Sequence, residues 1–310
     1  MRKLPRYILL LSILITCLTA ISLYSQESAS TVALKPLSAE QFLAVSSLFQ
    51  YDSAISLDAR VLNKKETDWY IREKIVFTGV RGDRVPGYLF IPNNNNPRHP
   101  LILLLHAGSA SKETWLQSDG LERGKILSDT LLKLGFAIIA LDAQYHGERA
   151  VNNDYLPIGT MFYNYKWFFR FRDGMIETAG DYFRVVDYLR TRPEIDLSRL
   201  GIVGYSMGGV TGFIFAAINQ DVKAIVGCVA AVSEPWIYPL TPINMAQEIQ
   251  APTLLLAGRS DPFISVDKSE RLYNALNAEQ KKLEMLDCDH WLPDDYIDRT
   301  VNWITNYIAH

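Results

Sequence analysis

The sequence predicts one α/β domain built on a mostly parallel sheet, and three observations lead there. Residues 101–105 and 136–141 are continuous apolar runs with no polar alternation, the pattern of strands buried on both faces. Helix-spaced segments separate such runs at βαβ intervals, which gives a parallel sheet covered on both sides. No linker, repeat or composition break divides the 310 residues. With 48 % hydrophobic and 21 % charged residues, the chain sits among packed globular domains rather than disordered ones.

Taken in order, the N-terminus stands apart. Arg2, Lys3 and Arg6 precede an apolar stretch over residues 7–23, followed by a polar segment over 25–30. A cationic region before an apolar one reads as an export signal, and Ala20-Ile21-Ser22 supplies small residues for cleavage, with Ser25 a second end. The stretch is slightly short for a membrane span, so an uncleaved anchor is the alternative, with lipid modification of Cys17 a third. Residues 1–25 are therefore expected to be a signal peptide or signal anchor. The protein is expected to be exported, periplasmic or secreted, or held at a membrane by residues 7–23.

Residues 36–65 carry helical spacing at Phe42, Val45, Leu48 and Phe49, so residues 26–68 are expected to form a helical leader packed on the main domain. Two strand-like runs, 70–78 and 84–91, flank Gly79-Val80-Arg81-Gly82-Asp83, a hairpin signal that adds antiparallel strands at the start. Asn93 to Asn96, between Pro92 and Pro97, is a surface turn. After strand 101–105, a helix over 121–134 passes through Gly135 into strand 136–141, which ends at Asp142. Helix 173–190, strand 200–205, strands 222–229 and 253–256, and a last strand over 281–286 complete the domain. It spans 69–310, with a small cap insertion over 145–172.

Net charge is −3 without a basic block, so nothing suggests capture of nucleic acid. Three cysteines make no disulfide framework; Cys228 and Cys288 fall in apolar, strand-like runs and read as buried free thiols, a bridge between them not being implied.

Gly204-Tyr205-Ser206-Met207-Gly208 lies between the strand over 200–205 and a small, apolar, helix-like run over 208–218. A G-x-S-x-G in that setting is a nucleophile elbow, with glycines where strand and helix backbones crowd and the serine exposed at the strand's end. An activated serine needs a base, and a third group to hold that base. After Ser206 there are two histidines, His290 and the terminal His310, which makes His290 the base by elimination. Asp261, following the strand over 253–256, is the preferred acid, since ligand-facing groups sit at the C-terminal ends of parallel strands. Glu234 is its rival, and Asp287 and Asp289 are too close in sequence to reach the far ring nitrogen. The loop His106-Ala107-Gly108-Ser109-Ala110 follows a buried strand where oxyanion donors must sit. The expected donors are the amides of Met207 and Gly108, with Ala107 next in line. His106 is expected to shape the loop, and His146-Gly147-Glu148-Arg149 to be a structural turn. This chemistry needs no metal or organic cofactor, and no ligand cluster is visible in the sequence.

These pieces resemble the α/β-hydrolase superfamily, in the style of its dienelactone-hydrolase-like and prolyl-oligopeptidase-like serine esterases. The resemblance rests on Val85-Pro86-Gly87-Tyr88-Leu89-Phe90-Ile91-Pro92, His106-Ala107-Gly108, residues 142–147 with Arg149, residues 204–209, residues 258–261 and Asp289-His290, and runs from about Tyr70 onward. It implies an α/β-hydrolase fold with helices on both faces, and the chain order Ser206, Asp261, His290 is that of the fold. Two departures stand out: Ala107 where many relatives carry glycine, and Ser206 where true dienelactone hydrolases carry cysteine.

The segment Met161-Phe162-Tyr163-Asn164-Tyr165-Lys166-Trp167-Phe168-Phe169-Arg170-Phe171 leaves the sheet beside the elbow and is expected to roof the site. Tyr205, Trp167, Phe168 and Trp236 are the candidate substrate contacts, Trp236 from a second excursion over 234–248. Lys166, Arg170 and Arg172 would favour an anionic substrate unless they form a solvated face. The expected function is hydrolysis of a small-molecule carboxylic ester through a Ser-His-Asp triad and an acyl-enzyme. A peptidase or amidase with the same machinery is the second reading, and a non-catalytic binding protein on the same fold the third. Oligomeric state is left open.

Overall fold

The computed structural model describes residues 35–308. Its strands are β1 (Arg60–Glu66), β2 (Tyr70–Thr78), β3 (Arg84–Pro92), β4 (His99–Leu105), β5 (Ala137–Leu141), β6 (Ile195–Tyr205), β7 (Val222–Cys228), β8 (Thr253–Gly258) and β9 (Lys281–Leu286). They form one nine-stranded sheet in the order β1-β2-β3-β5-β4-β6-β7-β8-β9. Pairings from β1 to β5 through β2 and β3 are antiparallel; those from β5 through β4 to β9 are parallel.

The helices are α1 (Ala39–Ser46), α2 (Gly124–Lys133), α3 (Ile158–Tyr163), α4 (Phe168–Leu189), α5 (Met207–Ile218), α6 (Pro242–Met245), α7 (Val266–Ala275) and α8 (Tyr296–Ile308). Two adjacent residues of β6 show how the sheet is covered. Ile202 meets Gly212 of α5, whereas a side chain at Gly201 would run into Ile304 and Ile308 of α8. Successive strand residues point to opposite faces, so α5 and α8 lie on opposite sides. Every residue of β4 is buried, as its unbroken apolar run requires.

The leader departs from expectation. Its first half is helical and docks through buried Leu37, Val45 and Phe49. Leu37 N–H donates to Asn244 O at 3.0 Å, and the Tyr51 hydroxyl donates to Asp187 Oδ2 at 2.6 Å. Residues 60–66, however, are the edge strand β1 rather than helix. All seven are exposed, so no burial pattern marks the strand in the sequence, and backbone pairing with β2 alone holds it. Lys64, Lys65 and a bulge between Val61 and Asn63 guard that edge against pairing with another chain.

Helix α4 begins at Phe168, five residues before the expected start. Phe168, Phe171 and Met175 therefore fall three and four apart on one helical face. Cys228 and Cys288 are both free; Cys228 is buried, while Cys288 is half-buried in the loop after β9 rather than in a strand. Residues 1–25, Cys17 and His310 lie outside the described residues, among which no helix is long and apolar enough to cross a membrane.

Candidate active site

Four loops at the C-terminal ends of parallel strands converge: those after β4, β6, β8 and β9. The turn after β6 carries Ser206 at φ 51°, ψ −113°, a conformation costly for any residue with a Cβ. It is held from both sides. Ser206 N–H donates to Cys228 O at 2.8 Å, and Ser206 O accepts from Val210 N–H at 3.1 Å. Gly208 permits the turn: a Cβ there would lie 2.2 Å from Leu105 O, a backbone atom that cannot yield.

The Ser206 hydroxyl is 3.0 Å from His290 Nε2, and His290 Nδ1 is 2.7 Å from Asp261 Oδ2. With the ring proton on Nδ1, the imidazole donates to the carboxylate and accepts from the hydroxyl. The Asp261 side chain is only 1 % exposed. Its other oxygen accepts from the amides of Phe263 and Ile264 at 2.8 and 3.1 Å, so the carboxylate shapes its own turn while holding the histidine. The rivals are committed elsewhere: Glu234 pairs with Lys268 at 2.7 Å, Asp287 pairs with Arg259 at 3.0 Å, and Asp289 accepts from Trp291 N–H at 2.7 Å.

Tyr205, expected to touch substrate, does not. Its ring is buried behind the elbow, where the hydroxyl donates to His290 O and accepts from Leu292 N–H, both at 3.0 Å. It positions the histidine loop. Trp167 also stays out of the cavity: it stacks on Tyr165 at 4.8 Å on the exposed surface of the cap, because α4 starts directly after it and turns the chain inward only from Phe168.

In the loop after β4, Ala107 N–H donates to Glu122 Oε1 at 2.9 Å, which removes it as an oxyanion donor. Glu122 is itself buried and accepts from the Thr114 hydroxyl at 2.9 Å. Among the described residues, the amides of Gly108 and Met207 carry no hydrogen bond, and a Cβ at Gly108 would lie 3.8 Å from Met207 Cβ. Two residues with unpartnered amides are thus neighbours in space, and Met207 directly follows Ser206. Gly108 O lies 2.9 Å from His146 Nε2, so the turn over 146–149 also orients the donor loop. No sequence signal marks Glu122 or His146 for these roles, since the partners are 15 and 38 residues away.

His106 shapes the loop as expected. Its Nδ1–H donates to Ala107 O at 2.8 Å and its Nε2 accepts from Ala143 N–H at 3.1 Å, which requires a neutral ring. Burial, with the neighbouring His146 and Lys112, pushes its pKa down from 6.5 to about 3. Below pH 6.5 the unfolded chain takes up a proton that the folded chain refuses, so stability is lost on acidification, by about 1.4 kcal/mol per pH unit. Asp181 acts oppositely: burial, partly offset by Arg149, raises its pKa to about 6, and its ionisation costs the fold stability as pH rises. A difference measurement separates them. Between about pH 7.5 and about pH 5.5, urea unfolding should show the wild type losing about 1 kcal/mol more than His106→Asn. Equal losses would mean that the His106 proton does not set this dependence.

Beside Ser206 opens a cavity of about 520 Å³, lined by Ile158, Phe162, Phe168, Met175, Trp236 and Ile237 among others. Trp236 stacks on Phe168 at 5.4 Å and 14°, and Phe162 packs against both Trp236 and Phe171 at 4.6 and 4.2 Å. Arg170 donates to Asn152 O at 2.9 Å and Arg172 to Tyr238 O at 3.1 Å, so both brace the cap, while Lys166 stands at the cavity rim.

The profile of the dienelactone hydrolase family matches residues 85–287. Among individual relatives, YtaP of Bacillus subtilis (strain 168) is 23 % identical over 251 residues, 72 % of this chain and 82 % of that one. Among solved structures, a cold-adapted esterase from an Arctic intertidal metagenomic library superposes with TM-score 0.66 at 19 % identity, over 82 % of this chain and 100 % of that one. An acetyl xylan esterase from Paenibacillus sp. R4 superposes with TM-score 0.67 at 17 % identity, over 90 % and 99 %. At such identities these structures speak for the α/β-hydrolase fold. The family profile covers well over half of the chain, including the Gly108 loop and the elbow at Ser206; this chain belongs to the dienelactone hydrolase family and is, with it, a carboxylic ester hydrolase.

Proposed function

We propose that the chain cleaves its ester by a Ser-His-Asp mechanism through an acyl-enzyme, and that it does so after export. The observation that carries the mechanism is the hydrogen-bonded series Ser206–His290–Asp261 opening onto a cavity beside two unpartnered amides. Ser206 Oγ attacks the ester carbonyl as its proton passes to His290 Nε2, and the imidazolium is stabilised by Asp261. The carbonyl oxygen, now negative, accepts from the amides of Gly108 and Met207, each worth about 3–4 kcal/mol of barrier. Nε2 then protonates the departing alcohol oxygen, and a water activated by the same nitrogen releases the acid. Export is supported by the cationic-then-apolar order of residues 1–25.

A panel of chromogenic esters from acetyl to decanoyl, with matched anilides, tests the reaction. The wild type should cleave esters with a pre-steady-state burst of one equivalent of alcohol, and the anilides far more slowly. Faster turnover of the anilides would assign the site to peptide-like bonds instead. Absence of a burst together with activity in Ser206→Ala would sink the acyl-enzyme.

A further inference from the structure

The site has a second lobe whose chemistry differs from the first. An open cleft of about 800 Å³ adjoins the aromatic cavity and is lined by Ser109, Ser111, Gln117, Asp289, Phe263 and Trp291, among others. The two lobes meet at Ser109, Leu121, Pro262, Phe263 and His290. Ser206, Gly108 and Met207 face only the first lobe, whereas His290 faces both.

That asymmetry assigns the two halves of a substrate. The acyl carbon must bond Ser206 Oγ and its oxygen must reach the Gly108 and Met207 amides, so the acyl chain extends into the aromatic cavity. When the acyl–oxygen bond breaks, the electron pair stays on the alcohol oxygen, which takes its proton from His290 Nε2. The alcohol therefore leaves on the side that His290 shares with the second lobe. The rings there are open to contact: Trp291 is 52 % exposed and Phe263 58 % exposed. Around them stand hydrogen-bonding groups, and the side chains of Ser109 and Gln117 carry no partner among the described residues. An exposed indole among hydroxyl, amide and carboxylate groups suits a ring that is apolar on its faces and polar at its edge.

We propose that this lobe is the leaving-group subsite and takes a hydroxyl-rich alcohol of the pyranose kind, stacked on Trp291. The substrate class is then a sugar ester of an apolar acid. This rests on the ester-hydrolase mechanism proposed above and adds to it the identity of the alcohol.

The test compares two octanoate esters, ethyl octanoate and methyl 6-O-octanoyl-glucopyranoside, which share an acyl group and differ only in the alcohol. The wild type should favour the sugar ester about tenfold in kcat/KM, as one stacked ring allows. Trp291→Ala, and separately Gln117→Leu, should raise KM for the sugar ester and lower its kcat/KM about fivefold more than that of the ethyl ester. Trp236→Ala, on the acyl side, should lower both esters in parallel. Thermal melts check that each variant is folded, which the exposure of Trp291 and Gln117 favours. Equal losses on both esters in Trp291→Ala, or no wild-type preference, would overturn the subsite while leaving ester hydrolysis intact. Inactivity of the wild type on both esters, indistinguishable from Ser206→Ala, would overturn both.

Discussion

Ser206→Ala should lower kcat on any cleaved ester by about four to six orders of magnitude, with KM little changed. The hydroxyl is the atom that forms the covalent bond, and no other hydroxyl stands 3.0 Å from His290 Nε2 among the described residues. Alanine keeps the Cβ and hence the backbone at φ 51°, so the elbow and the fold should survive. His290→Ala should fall as far. Asp261→Asn should cost about 10⁴-fold, because an amide can present its NH₂ to Nδ1 and force the proton onto Nε2, where it blocks the base. The Asn oxygen can still accept from the amides of Phe263 and Ile264, so this loss is not one of folding. Combining the three should be no worse than Ser206→Ala alone, since the groups act as one unit. Steady-state kinetics with a melt on each variant decides it: Ser206→Ala that melts like the wild type and keeps more than about 1 % of kcat would place the nucleophile elsewhere.

Lys112→Met should destabilise the fold by about 3–5 kcal/mol in urea unfolding, the cost of leaving a buried charge without its partner. The Lys112 ammonium is 1 % exposed and lies 2.8 Å from Asp142 Oδ2, a carboxylate with no exposure at all, and 2.6 Å from Glu148 Oε1. Burial alone would lower the lysine pKa, but Asp142 and Glu148 outweigh it and hold the ammonium above its ordinary range. Asp142 would keep the amides of Lys112 and Glu148, both at 2.9 Å, and lose the one cation that pairs with its side chain among the described residues. The double variant Lys112→Met/Asp142→Asn should recover part of the loss by removing the stranded charge. A loss under about 1 kcal/mol in the single variant would mean that the buried ion pair contributes little to the fold. Activity should fall too, because this ion pair ties the segment after the Gly108 loop to the turn whose His146 meets Gly108 O.

Much of the fold was legible because its central strands are buried on both faces. Residues 101–105 and 281–286 announce themselves by composition or by place in the alternation, and the observed β4 and β9 contain or equal them. Strand β1 was not legible, since all seven of its residues face water and only pairing with β2 makes it a strand. The start of α4 was missed because Phe168 and Phe171 read as cap aromatics; their helical register shows only once Met175 continues it against the cavity.

The site divides in the same way. Ser206 could be named from a local pattern, since glycines at 204 and 208 are required by backbone contacts only a few residues away or one strand over. His290 followed by elimination, and Asp261 from its place after a buried strand. Tyr205 and Trp167 were misread as substrate contacts because being next to a nucleophile, or within an aromatic run, does not say which way a ring points.

By itself, then, the sequence determined the buried strands of the sheet, the elbow and the three residues that meet there, because apolar continuity and glycine sterics are local properties. Only the tertiary structure decided that Glu122 takes the Ala107 amide and leaves Gly108 free, and that His290 stands between an aromatic cavity and a polar cleft. Those outcomes depend on which groups the folded chain brings within hydrogen-bonding distance across tens of residues, and no spacing along the chain encodes that.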